Sequence, residues 1–552
     1  MSLERLWDLR PTEPGKKHNA RPTAISVIYA SVCAIFMLLG SMVARNGAIE
    51  VSDPVPWILM AISFILTGTF LYFFLRLPYV RDSRSDDAEK KGVTAALLIR
   101  NALIIFACWI PVFLAEFPGF FVYDAVDEYT AVATRIFTTH HPLLHTLFLG
   151  GSVRAGEVFL GSANAGIALY ILIQMIALSL VFSWVVSTMK RFRVLGLIWY
   201  GIFPTVVMFA LCSVKDTVFS ATVLVSVVLT VRVLRKREFN ADFICLLASL
   251  LLMMLSRHNG VYAFIIYACV AGGYLAAVTH GAMIKRIAPA LALAGVLFVY
   301  QLISMGLAYV LNADDSEHQE MLTVPIQQLA RTWNVYGDEF SEDELKTLYE
   351  ILPEDTLKHY TPELSDPVKI GFDNAAYEAD PGRYRSLWFS LFKQHPLSYV
   401  NAWLNTCYGY FYPFTVVNVY EGHQVYTFTY TESSYFGYEV EYPGERHSLI
   451  PPIDRLYRWF SLDDDIQRIP VISLFFSMGA MLWLYLLGMA AFIYRRDHAS
   501  LIAYILPLGI WASLLPGPTF LPRYTVFWWF MLPYLIYGIF GNIYREKETD
   551  RK

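Results

Sequence analysis

Charge is what this sequence has least of. Only 16% of its 552 residues are Asp, Glu, Lys or Arg, against roughly a quarter in a soluble domain. That shortage excludes an ordinary soluble enzyme of this length. The net charge of −4 adds little, because a membrane protein segregates its charges by side, and nothing in the chain calls for a nucleic-acid partner. Metal-ligand cysteine spacing is also missing. Of Cys33, Cys108, Cys212, Cys245, Cys269 and Cys407, five fall inside apolar runs, where a small soft hydrophobe is the expected role. Neither GxGxxG nor GxxxxGK[ST] occurs, which argues against a nucleotide-powered mechanism. Met1–Arg21 is polar and basic and lacks the apolar core and small-residue cleavage site of a signal peptide. No internal repeat is present.

Apolar residues fill the chain instead. They make up 56% of it, and the mean hydropathy is +0.43. Apolar runs, most of them about 18 residues or more and so long enough to cross a bilayer as helices, recur near 22–43, 56–77, 93–114, 165–187, 194–212, 217–234, 241–255, 260–279, 288–311, 470–494, 500–515 and 524–540. The expected fold is therefore predominantly α, a polytopic membrane protein of about twelve spans. The expected organisation is a cytoplasmic N-terminus, two-helix hairpin and charged linker (1–92), a transmembrane core (93–311) with an outer loop at 116–163, an extracytoplasmic α or α+β domain (312–469), and closing spans with a cytoplasmic tail (470–552).

Basic clusters test that topology. Arg5–Arg21, Arg81–Lys91, Lys190–Arg193, Arg232–Arg237, Lys285–Arg286, Arg495–Arg496 and Arg545–Lys552 fall in every second loop. The positive-inside rule places them, and both termini, in the cytoplasm of a multi-pass cell-membrane protein. The outer side then receives the loop EFPGFFVYDAVDEYTAVATRIFTTHHPLLHTLFLGG (116–151), the SVKD and SRHNG turns, the region 312–469 and the PGPTFLPR turn.

These outer segments carry the chemistry. Asp124 follows an apolar run at the membrane–water boundary, where a partly desolvated carboxylate can be tuned as a general base. On a helix, Asp127 and Glu128 share its face; the plainer reading is an interfacial helix whose acids face water. His141 and His145 are spaced i, i+4, on one face of a helix begun at Pro142. With His140 and a carboxylate they could hold a divalent metal, contact a phosphate or shuttle a proton, or simply sit at the interface. Lys215 and Asp216 form a charged pair at a span edge, either a mutual ion pair or a phosphate contact. Arg257, His258 and Asn259 offer a guanidinium, an imidazole and an amide from one short turn, and arginine suits bidentate phosphate recognition. Arg523 heads the last span.

In the outer region, Thr323–Trp333 reads as an amphipathic helix entered at Pro325, Glu342–Ile351 as a second helix, and Leu391–Tyr412 as a third, broad and aromatic. Tyr410–Tyr430 and Ser434–Tyr442 read as loop or strand. Their tyrosines suit sugar stacking or a membrane-hugging surface.

The order and sidedness of PGFFVYDAVDEY, HHPLLHT, SVKDTVFS, SRHNGVYAF, VPIQQLAR and RY, spread over about residues 96–540, resemble the GT-C superfamily of integral membrane glycosyltransferases, in particular its bacterial branch of domain-of-unknown-function proteins. The resemblance implies a sugar transferred, with inversion, from a polyprenyl-phosphate donor to an extracytoplasmic cell-envelope glycan, lipid or protein. It places the catalytic acid of the first outer loop at Asp124, and donor-phosphate contacts at Lys215, Arg257 and Arg523. Glu128, His141, His145, Asp216, His258 and Asn259 join these as substrate-binding candidates. No cofactor is required by it; a divalent cation at His140, His141 and His145 stays open. The rival readings are a transporter or lipid-linked glycan flippase, which would show polar groups at mid-bilayer or paired broken helices, and a non-catalytic scaffold. Close approach of Asp124 to Arg257 favours the enzyme.

Overall fold

The computed structural model describes residues 20–77, 94–122, 124–236, 239–279, 282–315, 317–417, 442–462 and 465–541. Among them the protein is almost wholly helical, with no strand and two isolated β-bridges. The linker 81–91, most of the N-terminal basic segment, the C-terminal basic tail and the stretch 418–441 lie outside the described residues.

Helix α1 (Ala20–Asn46) and α2 (Pro54–Leu75) form a hairpin. Asp53 caps α2 by accepting from the Val55 N–H at 3.0 Å, and Pro54 occupies its first turn, where no N–H is needed. Then come α3 (Ala95–Ala115), the short α4 (Ala125–Thr134), α5 (Leu143–Leu160), α6 (Ala163–Thr188), α7 (Arg193–Ile202), α8 (Pro204–Ala210), α9 (Lys215–Lys236), α10 (Ala241–Ser256), α11 (Gly260–Val278) and α12 (Met283–Leu311). Eight described helices are long and apolar enough to cross a membrane, nine if α7 and α8, bent by 57° at Phe203–Pro204, count as one broken span. The chain is therefore a predominantly α, polytopic membrane protein. The expected spans near 241–255, 500–515 and 524–540 correspond to shorter helices.

The region after α12 is helical too: α13 (His318–Met321), α14 (Thr323–Tyr336), α15 (Glu342–Ile351), α16 (Glu354–Leu357), α17 (Asp366–Lys369), α18 (Asn374–Ala379), α19 (Pro381–Gln394) and α20 (Pro396–Cys407). The helix expected over 391–412 is in fact two, broken at His395 because Pro396 offers no N–H and pushes the residue before it out of the helical region. This region buries its own apolar core, running from Ile326 to Tyr399. From Leu404 onward, Cys407 included, the side chains join the core of the membrane helices. The chain closes with α21 (Pro451–Leu462), α22 (Asp465–Arg468), α23 (Ile472–Phe476), α24 (Met478–Arg495), α25 (His498–Ala503), α26 (Ile505–Leu514) and α27 (Val526–Phe540). Arg331 donates to the Gly47 carbonyl at 3.0 Å, and the Ile49 N–H donates to Asn401 at 2.8 Å. These bonds seat the helical region that follows α12 on the turn between α1 and α2.

Candidate active site

The loop after α3 turns sharply at Gly119, whose φ of +113° excludes most side chains; a Cβ there would lie 2.7 Å from Ile171 and 3.1 Å from the Leu211 carbonyl. That absence of bulk lets the loop lie against the segment leading into α9. The Phe120 N–H donates to Leu211 O at 2.9 Å, and the Ser213 N–H and hydroxyl donate to Phe120 O at 2.9 and 3.0 Å. This two-sided stitch brings Asp124, just before α4, beside Lys215, the first residue of α9.

Lys215 Nζ donates to Asp124 Oδ2 at 2.6 Å and to His141 Nδ1 at 2.8 Å. Arg523, in the 3-10 turn Pro522–Thr525 before α27, donates to Asp124 Oδ1 at 3.3 Å. Arg523 and Arg257 place their guanidinium carbons 4.7 and 4.6 Å from the centroid of the Tyr524 ring. Arg257, capping the C-terminus of α10, is ion-paired with Asp216, which is buried in the first turn of α9. Asn259 donates to Ser513 at 3.1 Å. His258 lines a small cavity of ≈ 50 Å³ with His141, Thr139, Tyr300 and Ser304.

Lys215, Arg257 and Arg523 face two carboxylates, Asp124 and Asp216, and a third, Asp127, stands 3.9 Å from His141 Nε2. Burial alone would raise the Asp124 pKa, but Arg523 and Lys215 outweigh it and hold the carboxyl well below the usual carboxylate range. Burial lowers His140 and His258, and pulls Arg257 down to about 10. Because His141 Nδ1 accepts from Lys215, its Nε2 carries the proton. That N–H is buried with no hydrogen-bond partner among the described residues.

Three expectations change. His141 is not on the helix of His145: α5 begins at Leu143, with Pro142 as its cap, so His141 points from the preceding loop. His145 belongs to a different network. Its Nδ1 meets Glu128 at 2.5 Å and its Nε2 meets the Tyr170 hydroxyl at 2.9 Å; Tyr170 donates to Gln174 at 3.1 Å, and Gln174 holds the Ala210 and Cys212 carbonyls at 3.0 and 2.9 Å. Glu128 is 1% exposed, whereas the Asp127 side chain is 73% exposed, so the two acids face opposite ways. His145 places both ring nitrogens inside the fold, apart from the His140 and His141 rings, whose centroids lie 4.4 Å from each other. Among the described residues no group of three or more His, Cys, Asp or Glu is arranged to hold a metal ion.

Sequence reasoning missed Tyr524, the ring shared by the two guanidiniums, although the RY pair was visible. It also missed Arg446. That side chain pairs with the fully buried Glu116 at 2.7 Å and with Asp454, while the His447 and Leu449 N–H groups donate to Phe117 O and Leu114 O at 2.8 and 2.9 Å. The loop that carries Asp124 is thus braced from behind by a segment more than three hundred residues away, and no local pattern announces it.

No curated protein and no solved structure matches the chain. A family match begins just after Asp124 and Glu128 and takes in His140, His141, His145, Lys215, Asp216, Arg257, His258, Asn259 and Arg523. Over residues 130–533, and so over most of its length, the chain belongs to the family of unknown function DUF6020.

Proposed function

We propose that the chain is a GT-C-type membrane glycosyltransferase that moves a sugar from a polyprenyl-phosphate donor to an extracytoplasmic cell-envelope acceptor. The observation that carries this reading is the convergence of Asp124, Lys215, Arg523 and Arg257 from four distant stretches onto one end of the helix bundle. A carboxylate among cations suits a reaction that removes a proton at one atom and releases a phosphate at another. In that reaction the acceptor hydroxyl loses its proton to Asp124 as its oxygen bonds to the anomeric carbon. The bond from that carbon to the phosphate oxygen breaks, and its electron pair leaves with the phosphate, stabilised by Lys215, Arg257 and Arg523.

The depressed pKa of Asp124 is a difficulty for a base, and the cluster suggests its resolution. An incoming donor phosphate competes for Lys215 and Arg523. As it draws them away, the carboxylate loses the charges that hold its pKa down and becomes basic when the donor is in place. His141 Nε2–H, buried and unmatched, is a further donor for a phosphate oxygen. In the full reading, the shorter helices near 241–255, 500–515 and 524–540 and the broken α7–α8 bring the spans to about twelve. The basic clusters then lie in the cytoplasm with both termini, and the cluster faces outward.

The bend between α7 and α8 favours a second reading, a transporter or lipid-linked glycan flippase, since transporters use broken helices at their sites. Against it, the break carries aromatic rather than polar groups: Phe203, at the break, stacks on Trp199 of α7 at 3.8 Å. The test is sugar transfer from radiolabelled polyprenyl-phosphate sugars in membranes carrying the wild type or Asp124→Asn. Transfer by the wild type alone, at equal expression and folding, supports the enzyme. No transfer from any donor, with lipid-linked sugar crossing the bilayer of proteoliposomes, would replace it with the flippase.

A further inference from the structure

The outer region contains a cavity of ≈ 250 Å³ between α14 and α19, away from the charged cluster. Its floor is Ile326, Leu329, Ile351 and Phe372, all buried, and its rim includes Leu322, Trp388 and Phe389. It is larger than the roughly 150 Å³ apolar cavity that takes up a benzene ring. Aromatic walls first suggest a sugar, but two of their three polar handles are engaged elsewhere. The Tyr384 hydroxyl donates to Glu350 at 3.0 Å, and Trp388 Nε1 donates to Gln328 at 3.0 Å. A sugar entering here would find only the Tyr377 hydroxyl and Arg385 for its several hydroxyls, a costly arrangement against so apolar a lining. Hydrocarbon meets no such objection.

One charged residue, Arg385, lines the cavity. It is exposed, and its Nε donates to Pro381 O at 3.0 Å, leaving the two terminal nitrogens without a partner among the described residues. The outermost turn of the span α12 presents Tyr309, 88% exposed, and Met321, 78% exposed, stands directly before Leu322 of the rim. The bonds of Arg331 and Asn401 to the α1–α2 turn hold this region level with the ends of the spans. We propose that the outer region binds one hydrocarbon chain of an anionic membrane lipid in this cavity, with Arg385 meeting the headgroup. This inference is independent of the glycosyltransferase reading.

The test uses the full chain in membranes and a dodecyl phosphate carrying a photoactivatable diazirine at the end of its chain, with cross-linked peptides mapped by mass spectrometry. Cross-links should fall within 322–329 and 384–389. Leu322→Trp, a partly exposed rim position, should lower their yield about tenfold by filling the mouth, and Arg385→Gln should lower it several-fold. A neutral dodecanol analogue should label the wild type as weakly as the phosphate labels Arg385→Gln. A second measurement needs no variant: unlabelled alkyl phosphates competing on the wild type should gain about fourfold in potency per methylene until the cavity is full, then level off. Cross-links confined to the membrane-spanning helices, or potency rising without a plateau, would overturn the proposal. Equal labelling by phosphate and alcohol would overturn the role of Arg385.

Discussion

Two buried polar groups grow from the same stretch of chain and are built on opposite terms. In one, Glu128, His145, Tyr170 and Gln174 hand hydrogen bonds from one to the next and end on backbone carbonyls, so that each imidazole nitrogen and the glutamine amide has a partner. In the other, Lys215, Arg523 and Arg257 pair with Asp124 and Asp216, and the His141 Nε2–H faces a small cavity unmatched. A closed network specifies a fold. An open one keeps charge ready for something not yet bound, and its incompleteness is tolerated because the closed network beside it fixes the same segment, through the carbonyls flanking Leu211.

The comparison breaks if the two groups respond alike to mutation. The largest effect expected is on rate: Asp124→Asn should lower sugar transfer per folded molecule about 10²–10⁴-fold, the range for losing a general base, beyond whatever stability it loses with the Lys215 and Arg523 pairs. His145→Ala should do the reverse. It strands buried Glu128 and should cost about 3–5 kcal/mol of stability, read as loss of folded protein in a detergent melt before any specific loss of transfer. A smaller effect is expected at Arg257→Lys, which keeps the charge but loses the planar fork and its packing on Tyr524; transfer should fall roughly tenfold to a hundredfold, mostly through the donor KM.

Acid sharpens the contrast further. The folded pKa of Asp124 lies below its unfolded value of about 3.9. Its pairing therefore stabilises the protein fully above that value, and the contribution is lost as pH falls through the depressed folded pKa. The difference in melting temperature between wild type and Asp124→Asn should stay flat from about pH 5 to 8 and narrow only below about pH 4. If donor phosphate frees Asp124, the acid limb of kcat should lie at higher pH than that of kcat/KM, because the first reports the loaded enzyme and the second the free one. Coincident limbs would remove the competition for Lys215 and Arg523 from the mechanism. The smallest effect concerns the loop: Gly119→Ala, at φ +113° and against Ile171, should cost about 1–3 kcal/mol and lower transfer with it.

Much of this was legible in the linear chain. Apolar runs of bilayer length gave the helical membrane class. Singling out Asp124, Lys215, Arg257 and Arg523 needed only the rule that charge at a span edge is costly and has a reason. Their meeting is now seen directly, through Lys215 and Arg523 on one carboxylate and the shared Tyr524 ring. The spacing of His141 and His145 misled because i, i+4 implies a shared face only if both residues lie in the helix, and Pro142 starts it after His141. Asp127 and Glu128 parted because which side of a short helix is buried depends on what packs against it.

The sequence by itself determined the solvent this protein must live in, the helical state of its backbone and the small set of charges that needed explaining, since each follows from the local cost of exposing or burying a group. Tertiary structure alone decided which charges share a site, which histidine is closed into the fold, and that Arg446 braces a loop far from it in the chain. Those outcomes depend on contacts between segments whose separation along the chain carries no periodicity, and only packing brings them within the few ångströms at which an ion pair or hydrogen bond acts.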